Sequence, residues 1–234
     1  MSRLAATMRC DLRLQTRNGF YWAVAFLLVV LALVITRLPQ LDWSLLAPPL
    51  VLGNLVVATF YFMAGLVLLE KSEGSLESLV VTPLRAGEYL ASKVLSLIGL
   101  SLVENVTIVA LACGSRFRLV PLVLGIASAS ALYCLVGFIA VARYESINQY
   151  LFPSMLYVAV FSLPLVHYAG LWESPLMYLH PLQASLVLLE GATRPVLLWE
   201  WIYGLAYSGL AVMVAAWWSR RVFHRFVVGG RERR

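Results

Sequence analysis

The sequence predicts an all-α polytopic membrane protein with six transmembrane helices. Three observations support this fold class: six apolar stretches long enough to cross a bilayer, a strongly apolar composition, and an uneven distribution of basic residues along the chain. Hydrophobic residues make up 61% of the sequence and charged residues 13%, with a mean hydropathy of +0.83, which lies outside the range of soluble globular domains. Because each span needs about 20 residues, the 234 residues leave no room for a sizeable soluble domain.

Residues 1–19 are predicted to form an amphipathic helix that lies in the cytoplasmic interface of the membrane. A helical wheel separates an apolar face with Leu4, Ala5, Met8 and Leu12 from a basic face with Arg9, Arg13 and Arg17. The alternative is a disordered basic tail that only fixes the orientation of the protein.

Residues 20–218 are predicted to form one six-span membrane domain. The predicted spans cover residues 20–35, 45–69, 94–113, 119–142, 150–170 and 198–218. Pro153 and Pro164 should make the fifth span irregular, because proline removes a helical hydrogen bond. In the sixth span Trp201 and Trp217 lie about 24 Å apart along a helix, close to the hydrocarbon thickness of a bilayer.

Two further segments complete the predicted topology. Residues 182–190, between the fifth and sixth spans, read as a short outer helix that follows Pro181 and ends at Gly191. Such a helix is only about 14 Å long, so it should lie at the outer face or dip into it, and the sequence does not decide between a flat and a re-entrant position. Residues 219–234 form a basic tail.

The distribution of basic residues predicts the orientation of the chain. With the N-terminus inside, fourteen of the 18 Lys and Arg residues fall on cytoplasmic segments, as the positive-inside rule requires. Both termini and the polar loop 70–93 are therefore assigned to the cytoplasm. This bias also accounts for the net charge of +6, so we expect membrane lipid and no nucleic acid as a partner.

The loop 70–93 is predicted to carry a helix of about two turns. Ser75 after Gly74 is a good N-cap, and Glu77 would lie in the first turn, where the helix dipole favours an anion. Leu76 and Leu79 would share one apolar face, and Pro83 would end the helix. So short an amphipathic helix cannot bury its own apolar face, and we expect it to dock onto another surface.

The loop from Glu70 to Lys93 resembles the cytoplasmic loop of ABC-2 type transporter permeases. It contains an acidic residue followed by Gly-Ser-Leu-Glu, then Pro-Leu, and later a lysine before the third span. In that family the loop forms the coupling helix, which sits in a cleft of a separate ATP-hydrolysing subunit. The resemblance therefore implies a coupling site that comprises Glu70, Glu73, Gly74, Ser75, Leu76, Glu77, Leu79, Pro83 and Leu84. The run from Asp11 to Asn18 is similar to the interfacial helix of these permeases.

The resemblance implies the permease subunit of an ATP-driven exporter in the plasma membrane of a prokaryote. Two permease chains, identical or different, would pair with two ABC ATPase subunits, and ATP and Mg would be used by the ATPase alone. The segment from Thr82 to Ser92 is most similar to permeases of the fluoroquinolone drug-export type, which implies a hydrophobic or amphipathic drug-like substrate. Haem-exporter permeases of cytochrome c maturation are the alternative within the family, and the sequence does not identify the substrate.

Sequence motifs give no sign of an enzyme or of a bound cofactor. The P-loop pattern G-x-x-x-x-G-K-[ST] does not occur in the chain, so ATP would have to be hydrolysed by a partner. The three cysteines contain no CxxC pair and the histidines are scattered, so neither a disulfide framework nor a metal site is expected.

Glu104, with Asn105 beside it, is the one carboxylate predicted near the middle of a span. Acids at that depth usually face a bundle interior or a watered cavity. Glu104 and Asn105 therefore either line a substrate path or serve as hydrogen-bonded groups that hold helices together. The rival function from another class is an intramembrane enzyme that uses Glu104, and a non-transporting scaffold subunit is a third possibility. Loss of activity in the isolated chain on Glu104→Gln, with no ATPase present, would favour the enzyme.

Overall fold

The computed structural model describes residues 3–74 and 86–225, and only the backbone of residues 3–6. The helices in these ranges are α1 (Arg3–Arg17), α2 (Phe20–Arg37), α3 (Trp43–Leu55), a π-helical segment (Val56–Tyr61), α4 (Phe62–Ser72), α5 (Ala86–Cys113), α6 (Leu119–Val141), α7 (Ile147–Phe161), α8 (Leu163–Tyr168), a 3₁₀ helix (Pro175–Leu179), α9 (Pro181–Glu190) and α10 (Leu198–Phe223).

Within residues 3–74 and 86–225, six helical stretches are long and apolar enough to cross a membrane, which confirms the predicted fold class. Span 1 is α2, span 2 is α3 with the π-helical segment and α4, and span 3 is α5. Span 4 is α6, span 5 is α7 with α8, and span 6 is α10. Span 5 is interrupted at Ser162, just before Pro164, in agreement with the irregularity expected from that proline.

Span 3 begins at Ala86, eight residues before the predicted start at residue 94. The prediction was wrong because Lys93 looks like the polar end of a span. In the structure the Lys93 side chain is fully buried and paired with carboxylates, so the helix continues through it. Span 6 likewise extends to Phe223, beyond the predicted end at residue 218.

Spans 2 and 4 lie at the centre of the bundle. In each of them 67% of the most apolar window is buried, compared with 11% in span 1, 17% in span 5 and 22% in span 6. The two central spans approach closely where the π-helical segment of span 2 passes Gly137 of span 4. A β-carbon at Gly137 would lie 2.8 Å from the carbonyl oxygen of Phe60, so the approach depends on glycine.

The short outer helix α9 is packed inside the bundle. Residues Leu182 to Leu189 are all buried, between Gly125 of span 4 and Gly204 of span 6. Gly125 and Gly204 therefore let spans 4 and 6 approach α9 closely. The helix dips between two spans and does not lie flat on the outer surface.

Candidate functional site

Three of the predicted coupling residues lie within the described part of the loop. Glu70 is buried in the last turn of span 2, and Glu73 caps the end of α4. Gly74 follows with a φ of 66°, the left-handed conformation with which glycine commonly ends a helix. The other six predicted residues fall in the range 75–85, outside the described residues: Ser75, Leu76, Glu77, Leu79, Pro83 and Leu84.

A buried ionic cluster lies directly beneath this loop. The Nζ of Lys93 is 2.5 Å from Oε1 of Glu70 and 3.0 Å from Oδ1 of Asp11. The hydroxyl of Tyr89 donates a hydrogen bond to Glu70 at 2.6 Å, and the hydroxyl of Ser92 donates one to Asp11. We call these residues, Asp11, Glu70, Tyr89, Ser92 and Lys93, the buried ionic cluster. It joins the interfacial helix α1 to the ends of spans 2 and 3.

Helix α1 contacts span 3 through a polar face that the helical wheel did not reveal. Asp11 and Gln15, four residues apart, are both buried, and Gln15 donates to the hydroxyl of Ser96 at 2.8 Å. On span 3 their partners Ser92 and Ser96 are also four residues apart, so the two helices match turn for turn. The sequence signal that could have revealed this contact is the spacing of four residues shared by Asp11 with Gln15 and by Ser92 with Ser96. Helix α1 is therefore docked on the bundle by hydrogen bonds, and Leu14 packs against the core.

Residues 71–73, which lead from span 2 into the loop and form its first arm, are also attached to span 4 and to α1. Lys71 donates to the carbonyl oxygens of Ala142 and Tyr144, at 2.6 and 2.7 Å, beyond the last turn of span 4, where carbonyls lack helical partners. At the surface Arg17 forms an ion pair with Glu73 at 2.8 Å. Residues 71–73 are thus held on two sides.

Residues 86–89, which lead from the loop into span 3 and form its second arm, pack against spans 4 and 6. The ring of Tyr89 lies 6.4 Å from that of Phe138 on span 4 and 5.3 Å from that of Phe223 on span 6. Gly87 faces the guanidinium of Arg220, which would lie 3.4 Å from a β-carbon at that position. The residues on either side of 75–85 thus contact α1 and spans 2, 3, 4 and 6.

Glu104 and Asn105 lie in a buried polar cluster between spans 2, 3 and 4. Asn54 of span 2 donates to Oδ1 of Asn105 at 3.0 Å, and Asn105 donates to the carbonyl of Ser101 at 2.9 Å. The hydroxyls of Ser101 and Ser130 are 2.9 Å apart, which extends the chain of hydrogen bonds to span 4. Asn54, Ser101 and Ser130 were not predicted, because their contacts depend on how the spans pack. Asn105 therefore holds helices together.

Glu104 differs from its neighbours in the cluster. It is 1% exposed, and neither carboxyl oxygen has a hydrogen-bond partner among the described residues. The side-chain amide of Asn54 lies beside it, and Oδ1 of Asn54 also lacks a partner within those residues. Asn54 is thus the polar group nearest to this carboxyl, at a geometry outside an ordinary hydrogen bond. A buried acid with so little hydrogen bonding is costly in a membrane.

In residues 3–74 and 86–225, no group of three or more His, Cys, Asp or Glu side chains is close enough to hold a metal ion.

The sequence of this chain is similar to those of known export proteins. Residues 2–231 match the model of the fluoroquinolones export permease protein family. Two fluoroquinolones export permease proteins of Mycobacterium tuberculosis, from strains CDC 1551 / Oshkosh and ATCC 25618 / H37Rv, are each 32% identical over 231 residues, which cover 97% of this chain and 98% of the relative. These matches confirm the resemblance that the loop motif indicated. The chain belongs to the fluoroquinolones export permease protein family.

Proposed function

We propose that this chain is the membrane subunit of an ATP-driven ABC-2 type exporter that moves a hydrophobic or amphipathic drug-like molecule out of the cell. ATP would be hydrolysed by a separate ABC ATPase subunit on the cytoplasmic side. The family and its relatives, which are named for fluoroquinolone export, favour a drug-like substrate over haem. Two permease chains would form the path, with ATP and Mg bound by the partner alone.

The observation that carries this proposal is the attachment of both arms of loop 75–85 to one ionic cluster. Glu70 precedes the loop, Lys93 follows it, and the two side chains are joined at 2.5 Å. A loop that merely connected two spans would have no need of a buried ion pair across its base. Because closely packed protein interiors transmit strain, a push on the loop would move the spans and not only the loop.

Conformational coupling also requires that the ATPase make different contacts in its two states. Under the proposal those contacts are made by the apolar face of the loop, with Leu76 and Leu79. Both residues lie outside the described ranges, so their role rests on the resemblance of the loop to ABC-2 permeases.

Co-purification tests the partnership directly. The permease would be purified through a tag from the cells that naturally make it, and any P-loop ATPase that co-purifies would be identified by mass spectrometry. Leu76→Asp with Leu79→Asp should remove the ATPase from the purified complex, and the charge reversals Glu73→Lys with Glu77→Lys should weaken the association. Glu173→Lys is the matched control, because Glu173 is exposed at the opposite end of the bundle. Full drug export by the permease with no nucleotide-hydrolysing protein present would refute the proposal.

Glu104 is the residue we assign to the substrate path, and Asn105 lies beside it in the same polar cluster. Glu104→Gln keeps the size of the side chain and removes its charge. It should reduce drug export in cells while leaving the amount of folded complex and its ATPase association unchanged. If export were unaffected, Glu104 would have only a packing role. Activity that depends on Glu104 in the isolated chain would instead support the intramembrane enzyme.

A further inference from the structure

A cleft that is separate from the loop and from the Glu104 cluster opens between spans 4, 5 and 6. Its first part has a volume of about 400 Å³ and is lined almost entirely by apolar and aromatic side chains, from Tyr207 to Trp218 on span 6. Its second part, about 580 Å³, lies towards the end of the bundle that carries loop 70–93. The two parts share Ile139, Tyr157 and Trp218, so they form one continuous cleft.

The second part of the cleft is basic. Arg143, Arg221 and Arg225 line it, and no acidic side chain is among its lining residues in the described ranges. Two of the arginines are held in place by aromatic groups. Arg143 donates to the hydroxyl of Tyr157 at 2.7 Å, and the guanidinium of Arg221 lies 3.7 Å from the centre of the Trp217 ring.

The dimensions of the cleft match one leaflet of a membrane. From Tyr207 to Trp218 is eleven residues of helix, or about 16 Å, which is close to half of a hydrocarbon core about 30 Å thick. Arg221 and Arg225 follow Trp218 on span 6, and Arg143 follows the end of span 4, so in such a leaflet the arginines would lie at the level of the lipid headgroups. An apolar groove of this length with a basic end is complementary to a lipid that has acyl chains and an anionic headgroup.

We propose that this cleft binds an anionic phospholipid of the cytoplasmic leaflet. The phosphate would lie between Arg143 and Arg221, and an acyl chain would lie along Leu210 and Val214. The proposal depends on the geometry of spans 4 to 6 and on the predicted orientation, and it does not depend on the drug-export assignment. Phosphatidylglycerol is the probe, and phosphatidylcholine, which has no net charge, is the reference lipid.

Native mass spectrometry of the purified full-length protein in detergent measures lipid binding and oligomeric state together. We expect phosphatidylglycerol to bind more tightly than phosphatidylcholine. Since each basic residue near a membrane surface favours an anionic lipid by about fivefold in affinity, Arg143→Gln with Arg221→Gln should weaken phosphatidylglycerol binding by about 25-fold. Phosphatidylcholine binding should fall much less, because its choline ammonium already offsets the charge of its phosphate.

Arg220→Gln is the matched control. Arg220 is adjacent to Arg221, but its guanidinium lies over Gly87 of span 3 and does not line the cleft. An equal loss of phosphatidylglycerol binding in Arg220→Gln would show a general surface-charge effect and overturn the proposal.

Two other possible occupants of the cleft, a second copy of the chain and a fluoroquinolone, would give different results in these experiments. If the double substitution turns a dimer into a monomer without changing lipid binding, a second copy of the chain covers the cleft and the proposal is wrong. If the substitution removes binding of a fluoroquinolone while phosphatidylglycerol stays bound, the cleft is a drug site and the proposal is also wrong. Size-exclusion chromatography of each variant confirms that a loss of binding does not reflect misfolding.

Discussion

Lys93 is the residue on which the base of the loop depends. It is fully buried between the carboxylates of Asp11 and Glu70. Removing one member of a buried ion pair leaves an uncompensated charge, whereas replacing all members with neutral groups is often tolerated. The cluster should therefore behave as a unit.

We predict that Lys93→Met destabilises the protein by about 3–5 kcal/mol, because two acids are then left facing each other in the interior. The thermal unfolding midpoint of the protein in detergent measures the loss. Asp11→Asn and Glu70→Gln, added to Lys93→Met, should restore most of it. Arg17→Ala, which breaks the exposed pair with Glu73, should cost less than about 1 kcal/mol. Equal losses for Lys93→Met and Arg17→Ala would contradict the assignment.

His180 gives the fold a pH dependence at its outer end. It is the N-cap of α9, where Nδ1 accepts a hydrogen bond from the amide of Leu182 at 3.3 Å. Burial lowers the pKa of His180 from its ordinary value of 6.5, against a smaller opposing effect of a hydrogen bond to the backbone of Val160. Both the burial and the cap require the neutral imidazole.

The sign of the pH effect follows from these pKa values. Below pH 6.5 the unfolded chain binds a proton at His180 that the folded chain does not, so stability falls as the pH drops towards the lowered pKa. The unfolding midpoint should therefore decrease between pH 7.5 and pH 5. His180→Asn keeps a cap acceptor without titrating and should flatten this dependence. An unchanged pH profile in His180→Asn would show that other groups are responsible.

At the scale of elements, close contacts between helices are set by two glycines that face α9. A β-carbon at Gly125 would lie 2.9 Å from the backbone nitrogen of Leu189, which cannot move without the helix. At Gly204 the obstruction is the side-chain end of Leu188, at 2.7 Å, and a side chain can rotate away. The added β-carbons at Gly125 and Gly204 would meet obstacles at similar distances, but the expected losses of stability differ.

We expect Gly125→Ala to destabilise the protein by about 1–3 kcal/mol and Gly204→Ala to cost less. Gly209→Ala is the control on span 6, because nothing lies within 4 Å of the added carbon; it should be neutral or slightly stabilising, since alanine favours helix. Thermal unfolding of the three variants side by side gives the order. A larger loss in Gly204→Ala than in Gly125→Ala would show that the side chain of Leu188 is as fixed as the backbone.

The helices could be predicted where the length of an apolar stretch determines them. They were less predictable where a charged side chain is buried inside the bundle. Six spans and the short helix after Pro181 follow from the sequence, because a hydrocarbon core admits only long apolar helices. The start of span 3 does not, since Lys93 reads as polar until its partner Asp11, 82 residues away, is known. The same distance hid Asp11 from the candidate site, although Glu70 was predicted.

At the scale of the whole molecule, the sequence does not say which spans lie at the centre. Spans 1 and 4 have the same hydropathy of 2.2, yet 11% of one and 67% of the other is buried. Lipid tails are as apolar as a leucine side chain, so hydropathy cannot distinguish a lipid-facing span from a central one. The exposed apolar faces of spans 1 and 5, including Trp22 and Phe152, remain available to lipid or to a second permease chain.

Orientation is the property of the whole molecule from which the proposed coupling follows, and two positions can report it. Cys10 is exposed on α1, and Cys134 is buried in the bundle. With Cys113→Ser and Cys134→Ser, Cys10 is the single thiol. A membrane-impermeant maleimide should label it in inverted vesicles and not in intact cells, because the positive-inside rule places α1 in the cytoplasm.

Arg116→Cys, in a variant that lacks the three native cysteines, supplies the opposite reporter. Arg116 is exposed in the turn between spans 3 and 4, so this thiol should be labelled in intact cells. Since α1 is joined to loop 70–93 through Asp11 and Lys93, both lie on the same side of the membrane. Labelling of Cys10 from outside would place the loop away from ATP, and no ATPase could then act on it.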